Sequence, residues 1–232
     1  MIEVTPFERL GRFRNAWLNA RHHFSFGSYL DRERMGWGAL RVWNDDEIAP
    51  GTGFDFHPHR DMEIITYVRE GTITHRDSLG NVGHTGAGDI QVMSAGTGIV
   101  HAEHNLGSGP VRLFQIWILP ARSGVTPRWE TRVFPKEARA GRLEVLASGR
   151  AGDTGAIAIH QDAAVLGAKL GAGEAVTYSL DPGRKSYVVA GDAPITINGS
   201  AVPTRAGAAI AAESKLEIAA LGPTDVVLVD VP

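Results

Sequence analysis

One part of this chain returns in outline about 120 residues later, and that repeat limits the fold more than any other feature. Thr66-Tyr67-Val68-x-x-Gly71 recurs as Ser186-Tyr187-Val188-x-x-Gly191. Gly51 and Gly53 recur as Gly171 and Gly173, again at an offset of 120, and Thr85-x-Ala87-Gly88 recurs as Thr204-x-Ala206-Gly207 at 119. A near-constant offset over several landmarks is the mark of a duplicated unit. The 232 residues are ample for two domains.

Each copy is written in strand-type sequence. Glu63 to Val68 is β-branched and aromatic and stops at Glu70-Gly71, Val111 to Leu119 stops at Pro120, and Asp225 to Val231 closes the chain. Pro194-Ile195-Thr196-Ile197 runs into Asn198-Gly199, a two-residue hairpin signal. Short strands separated by turns, with 28 glycines and 12 prolines, predict an all-β protein of two packed β-barrel (jelly-roll) domains with little helix. The charged stretch from Thr126 to Arg150 reads as the connection. The expected division is therefore 1–130, a connecting segment 131–150, and 151–232. A short helix within Trp129–Arg142 is the one helical candidate, with Pro135 and Gly141 against it.

The chain has no cysteine, which excludes disulfides and thiolate metal sites, and its net charge of −3 with no basic run argues against direct nucleic-acid binding. No segment approaches the roughly 20 apolar residues of a membrane span, and the first residues do not form a secretion signal, so a cytoplasmic location is expected.

Six of the nine histidines lie between residues 57 and 104. His57-Pro58-His59 sets two imidazoles at i and i+2, on one face of a strand and about 6.6 Å apart. His101-Ala102-Glu103 repeats the spacing with an imidazole and a carboxylate. Two such strands paired inside a barrel would bring three nitrogens and one oxygen to one ion, so His57, His59, His101 and Glu103 are the predicted metal ligands. That donor set suits Fe(II), Mn, Ni, Cu or Zn and leaves coordination positions open, as a catalytic site requires. Alternation puts Glu63 on the face of His59, as a further ligand or a partner that orients a histidine. It turns Arg60 and His104 outward. His75 and His84 read as solvent-facing, His22-His23 as a surface pair, and His160 as structural in the second copy. Phe24, Phe26, Trp37 and Met93 are candidates for an apolar mouth, each equally readable as ordinary core. At the 120-residue offset His57 and His59 become Thr177 and Ser179, and no histidine follows His160. The second copy is thus expected to be metal-free.

Gly51-x5-His57-x-His59-x3-Glu63 resembles the first cupin motif, with Gly71 one residue later than usual. Gly88 to Asn105 resembles the second, with Ser94 where proline is common and Gly96 further from the histidine. With His22-His23-Phe24-Ser25-Phe26, Leu40-Arg41-Val42-x-Asn44-Asp45-Asp46, His57-Pro58-His59-x-Asp61-Met62-Glu63 and Ser94-Ala95-Gly96-Thr97-Gly98-Ile99-x-His101-x-Glu103, the chain looks like the pirin family, and most like its bacterial quercetinase branch. The resemblance implies a bicupin with one divalent transition metal, Fe(II) favoured, on His57, His59, His101 and Glu103 of the N-terminal barrel. It implies a dioxygenase that cleaves a flavonol such as quercetin with O2 and loss of carbon monoxide; Glu103 is then the expected catalytic residue, taking the hydroxyl proton while it stays near the ion or exchanging its ligation for that role. The partners are then a small aromatic substrate and O2. The same resemblance allows an alternative, a metal-dependent regulatory module that binds a protein partner without turnover. A metal-dependent sugar isomerase ranks behind both, since such sites want a cation beside the metal and Arg60 is turned away.

Overall fold

The computed structural model describes residues 1–134 and 140–232. In chain order the strands are β1 Ile2–Thr5, β2 Gly11–Arg14, β3 Leu18–His22, β4 Leu40–Ile48, β5 Thr52–His59, β6 Glu63–Glu70, β7 Thr72–Asp77, β8 Val82–Gly86, β9 Ile90–Ser94, β10 Ile99–Asn105, β11 Val111–Ile118 and β12 Arg128–Arg132. They continue as β13 Glu144–Ser148, β14 Ile157–Ala158, β15 Ala164–Leu170, β16 Ala175–Ser179, β17 Lys185–Ala190, β18 Ile195–Ile197, β19 Ser200–Val202, β20 Gly207–Ala211, β21 Lys215–Ala220 and β22 Thr224–Val231. A single 3-10 turn, Phe7–Arg9, is the only helical element among the described residues, and none of them forms a helix that could cross a membrane.

The chain forms two compact units, one of Gly11–Phe134 with Ile157–Gln161, the other of Met1–Leu10, Pro135–Ala156 and Asp162–Pro232. Each pairs a large sheet with a four-stranded one, and the central strand order is the same in both. The first has a large sheet in the order β12-β9-β6-β11-β4-β3-β2 and a four-stranded sheet β5-β10-β7-β8. The second has β1-β20-β17-β22-β15-β13 and β16-β21-β18-β19. The β6 and β17 strands hold the same place between their neighbours, as the repeated Tyr-Val-x-x-Gly landmark requires.

These units do not follow the boundaries expected from sequence. The β1 strand pairs with β20 (Ile2↔Ile210 to Thr5↔Gly207), so the first residues complete the second unit's sheet. The supposed connection contains two strands, β12 paired with β9 and β13 paired with β15. Charge hid β12. Arg128, Glu130 and Arg132 alternate along an edge strand and share one ion-pair row, at 3.3 Å and 2.6 Å to Glu130. The helix expected within Trp129–Arg142 begins on this strand, and residues 135–139 lie outside the described residues.

The two interiors differ. The second unit holds an apolar cluster between its sheets that includes Leu166, Val188, Ile210, Ile218 and Leu228. In the first, smaller apolar clusters lie toward either end, one around Ile48, Val68, Ile73 and Leu113 and another of Ile64, Met93, Ala95 and Ile99. Between them the central strands change to polar residues. Along β6, Thr66 separates Ile64 from Val68, and along β11, Gln115 separates Leu113 from Trp117. A polar belt across a barrel interior loses apolar burial and must be hydrogen-bonded throughout. That belt is where the candidate site lies.

Candidate metal centre

The β5 and β10 strands run antiparallel with His101 opposite His57 and Ile99 opposite His59. Three imidazoles therefore meet from two adjacent strands. Their ring centroids are 4.5 Å (His57–His101), 4.8 Å (His57–His59) and 4.9 Å (His59–His101) apart, and a potential ligand atom from each lies within 4.8 Å of the others. Beyond His101 the register slips, so that Glu103 faces Phe54 and Asp55 and Phe56 bulge outward. The slip brings β5 close to the Glu103 backbone. A Cβ on Gly53 would fall on the Glu103 carbonyl oxygen, so only glycine fits there.

The bulge also corrects the repeat. A strict offset places Thr177 and Ser179 at the histidine positions, but both are exposed. The inward residues of β16, which has no bulge, are Val176 and Tyr178. Tyr178 donates to Asp230 at 2.6 Å, and Asp230 also pairs with Arg184 at 2.6 Å. Where the first barrel gathers imidazoles, the second holds apolar side chains and a closed ion-pair network.

Hydrogen bonds prepare the first site. The His57 Nδ1 lies 2.7 Å from the Asp55 carbonyl oxygen, which can only accept, so Nδ1 carries the proton and Nε2 is bare. The His101 Nε2 is buried with no hydrogen-bond partner. A buried bare imidazole nitrogen costs free energy in an empty site and is a ligand in an occupied one, so these residues fit a divalent metal ion. Glu103 is buried on the same strand, and one of its carboxylate oxygens lies within 4.8 Å of a ligand atom of His101. Its Oε1 accepts from Gln91 at 2.6 Å and Thr66 at 3.3 Å, and its Oε2 accepts from Gln115 at 2.8 Å.

Burial sets the protonation of the group. It pulls His59 down to about 4, aided by the charge of His57, and His101 down to about 2, aided by His57, His59 and His75. It pushes Glu103 up to about 7 against the hydrogen bonds from Thr66, Gln115 and Gln91. Asp46 is driven well above the carboxylate range by burial and by the charges of Asp45 and Glu103. For the metal-free protein the sign follows by linkage. The unfolded chain takes up protons on His59 and His101 near pH 6.5, whereas the folded chain refuses them until about 4 and about 2. Glu103 opposes this with one proton gained by the folded state between about 7 and its unfolded value of 4.5. Burial likewise lowers His22 and His75 and raises Asp46 and Glu63, so four histidines that refuse protons stand against three carboxylates that take them up early, and chelator-stripped protein should lose stability as pH falls from 6.5 to 4. Urea midpoints measured across that range test this, and a flat profile contradicts it.

Several residues stand elsewhere than the sequence suggested. His75 is fully buried, stacked on Trp129 at 4.6 Å, and its ligand atom groups with those of His101 and Glu103. The alternation Ile73, His75, Asp77 on β7 carried that signal, because Ile73 is core. His22 and His23 are buried rather than a surface pair. His22 bonds Asn44 at 2.8 Å, and His23 packs on Trp43. Glu63 is buried but faces away from the imidazoles. Residues 60–62 turn the chain, with Asp61 at φ +46°, so alternation does not carry from β5 into β6. Glu63 instead accepts from Ser94 at 2.7 Å and lies against His160, which belongs to the first unit. His84 is exposed and His104 half-buried beside Asp55, as expected. Of the mouth candidates, Phe26 packs on Trp117 at 5.3 Å, Trp117 stands edge-on to His59 at 4.9 Å, and Met93 packs with Trp117. Phe24 lies beneath the Arg34 guanidinium. Gln91, Gln115 and Thr66, which hold Glu103, carry no sequence signal of their own.

Comparison with known proteins gives consistent matches. A family model described as Pirin matches residues 4–118, and one described as Quercetinase C-terminal cupin domain matches residues 145–231. A Pseudomonas aeruginosa protein named provisionally as a quercetin 2,3-dioxygenase is 56% identical over 231 residues, covering 100% of both chains. Quercetin 2,3-dioxygenase of Escherichia coli K12 is 42% identical over 233 residues, covering 100% of this chain and 99% of its own. The crystal structure of the bacterial pirin YhhW from Escherichia coli, in complex with nickel(II), is 40% identical with a TM-score of 0.93, covering 100% of this chain and 99% of that one.

Proposed function

The chain belongs to the pirin family, and on that premise we propose that it is a metal-dependent dioxygenase that opens a flavonol such as quercetin with O2 and releases carbon monoxide. The observation that carries the reading is the convergence of His57, His59 and His101, with the bare Nε2 of His101 buried and Glu103 beside it. These four residues would hold one divalent transition metal. Fe(II) is the first candidate from the family resemblance, and nickel(II) gains support from the complex of the Escherichia coli relative; the donor set itself suits either. When bound, such an ion supplies Lewis acidity that lowers the pKa of a flavonol hydroxyl placed against it.

The chain's own residues do the rest. Glu103 takes the 3-hydroxyl proton at Oε2, which has one hydrogen-bond partner where Oε1 has two. Burial that raises its pKa to about 7 puts it near the pH at which a base both accepts and releases a proton well. Gln91 and Gln115 hold its carboxylate in one plane. Gln115 in turn accepts from the Trp117 indole at 3.2 Å, which ties the base to the aromatic wall. Trp117, Phe26 and Met93 give an apolar side against which a flat ring system can lie with water excluded.

The test is anaerobic loading of chelator-stripped protein with Fe(II), Mn, Ni, Cu or Zn, followed by quercetin and O2. The expected result is loss of flavonol absorbance with equal amounts of O2 consumed and carbon monoxide released. If no metal gives oxygen uptake and the protein instead binds a partner in a metal-sensitive way, the regulatory alternative replaces this reading.

A further inference from the structure

His75 and Asp77 project from β7 into the polar belt and are not among the four residues assigned to the metal. Both are buried, and they form a directed chain with His101. The Asp77 Oδ2 lies 2.9 Å from His75 Nε2, and the His75 Nδ1 lies 3.4 Å from His101 Nδ1. Asp77 is itself pinned as an acceptor. Its Oδ1 takes the backbone N–H groups of Leu79 at 2.9 Å and Asn81 at 3.0 Å, and its Oδ2 takes the Asn81 amide at 2.9 Å. A carboxylate so surrounded can only accept, so His75 Nε2 is the donor. The other nitrogen of a neutral imidazole is then bare and can only accept, so the proton between the rings belongs to His101 Nδ1. The remaining nitrogen of His101, Nε2, is left without a proton, and it is the buried atom with no partner.

We propose that Asp77 and His75 are a positioning relay that fixes the tautomer and ring orientation of His101, so that His101 presents a bare Nε2 to the metal. The proposal rests on the reading of His101 as a ligand. The His75 ring is held for this task from the side as well. The Trp129 indole lies parallel to it at 4.6 Å with 6° between planes, and a Cβ on Gly83 would collide with that indole. His57 obtains the same tautomer from the Asp55 carbonyl alone. The pattern differs from a second ligand set of His75, His101 and Glu103, whose ligand atoms also lie within 4.8 Å of one another. That set would leave the hydrogen bond between the two rings unmade and His101 Nε2 without any partner.

The experiment uses the full chain loaded with Co(II), in wild type, His75→Phe and Asp77→Asn. Phenylalanine keeps a ring to stack on Trp129 and removes both nitrogens. The expected result for His75→Phe is Co(II) affinity about 10–100-fold weaker by chelator competition, with unchanged d–d intensity. In proton spectra of the Co(II) protein, the exchangeable hyperfine-shifted signal of the His101 Nδ1–H should be lost while that of His57 stays. A residue that merely supports the fold would not remove one ring proton and spare the other. Asp77→Asn should shift affinity the same way by less, and it decides the matter if His75→Phe does not fold. Full affinity in both variants overturns the relay and leaves His101 as a ligand. A changed d–d spectrum showing one nitrogen fewer overturns it by making His75 a ligand. Retention of metal by His101→Ala overturns the relay and the ligand assignment together.

Discussion

His101→Ala should bind divalent metal at least ~100-fold more weakly than wild type, beyond the range found for loss of a supporting partner, and should show no flavonol cleavage. Three features make it the most sensitive of the proposed ligands. Its ring touches both other imidazoles, at 4.5 Å and 4.9 Å. It is the buried member of the trio, with His57 and His59 half-buried. Its Nε2 has no other role in the molecule. The metal-free stability should fall far less than the affinity, because alanine also removes a buried unpartnered nitrogen. Metal per chain after dialysis against a chelator, with thermal melts of the stripped proteins, separates the two effects. His160→Ala, in the segment against Glu63, should keep full metal. Retention of metal by His101→Ala would remove that residue from the centre.

Glu103→Gln should keep part of the metal affinity and lose turnover by about 10²–10⁴-fold, the usual worth of a positioned base. The substitution preserves size but not polarity. Both carboxylate oxygens accept from amide donors, Gln91 on one side and Gln115 on the other. A glutamine there turns an NH2 toward one of those donors, so a neighbouring amide must flip. The Gln115 amide is constrained by its bond to Trp117 and the Gln91 amide by its bond from Thr85 at 3.1 Å. The variant is therefore read by turnover per bound metal rather than total activity. Wild-type turnover per metal in Glu103→Gln would end the assignment of a proton-transfer role to that carboxylate.

The meeting of His57, His59 and His101 was legible because strand alternation is a local rule. His57 with His59, and His101 with Glu103, needed only period two and one strand pairing. The duplication was legible because Tyr67 and Tyr187 with their glycines mark equivalent central strands. Alternation failed where the backbone leaves the pleat. The bulge at Asp55–Phe56 spoiled the equivalence with Thr177 and Ser179, and the turn at Asp61 sent Glu63 to the other face. His75 was missed because a polar residue on a strand is ordinarily taken as outward, whereas a barrel that houses an ion needs polar residues inside. Gln91 and Gln115 have no local pattern at all. Their role depends on three strands meeting at Glu103, which is a property of the tertiary fold.

The pairing of β1 with β20 has a consequence for anyone who wishes to study the halves separately. The first few residues of the chain act as the closing stave of the last sheet, so a single scission cannot yield two finished pieces. A fragment that starts after residue 134 would present a naked row of amides and carbonyls along β20, ready to recruit a stray strand from another molecule. Either sheet pair is obtained whole only if Ile2–Thr5 travels with the C-terminal strands, which a plain truncation cannot arrange.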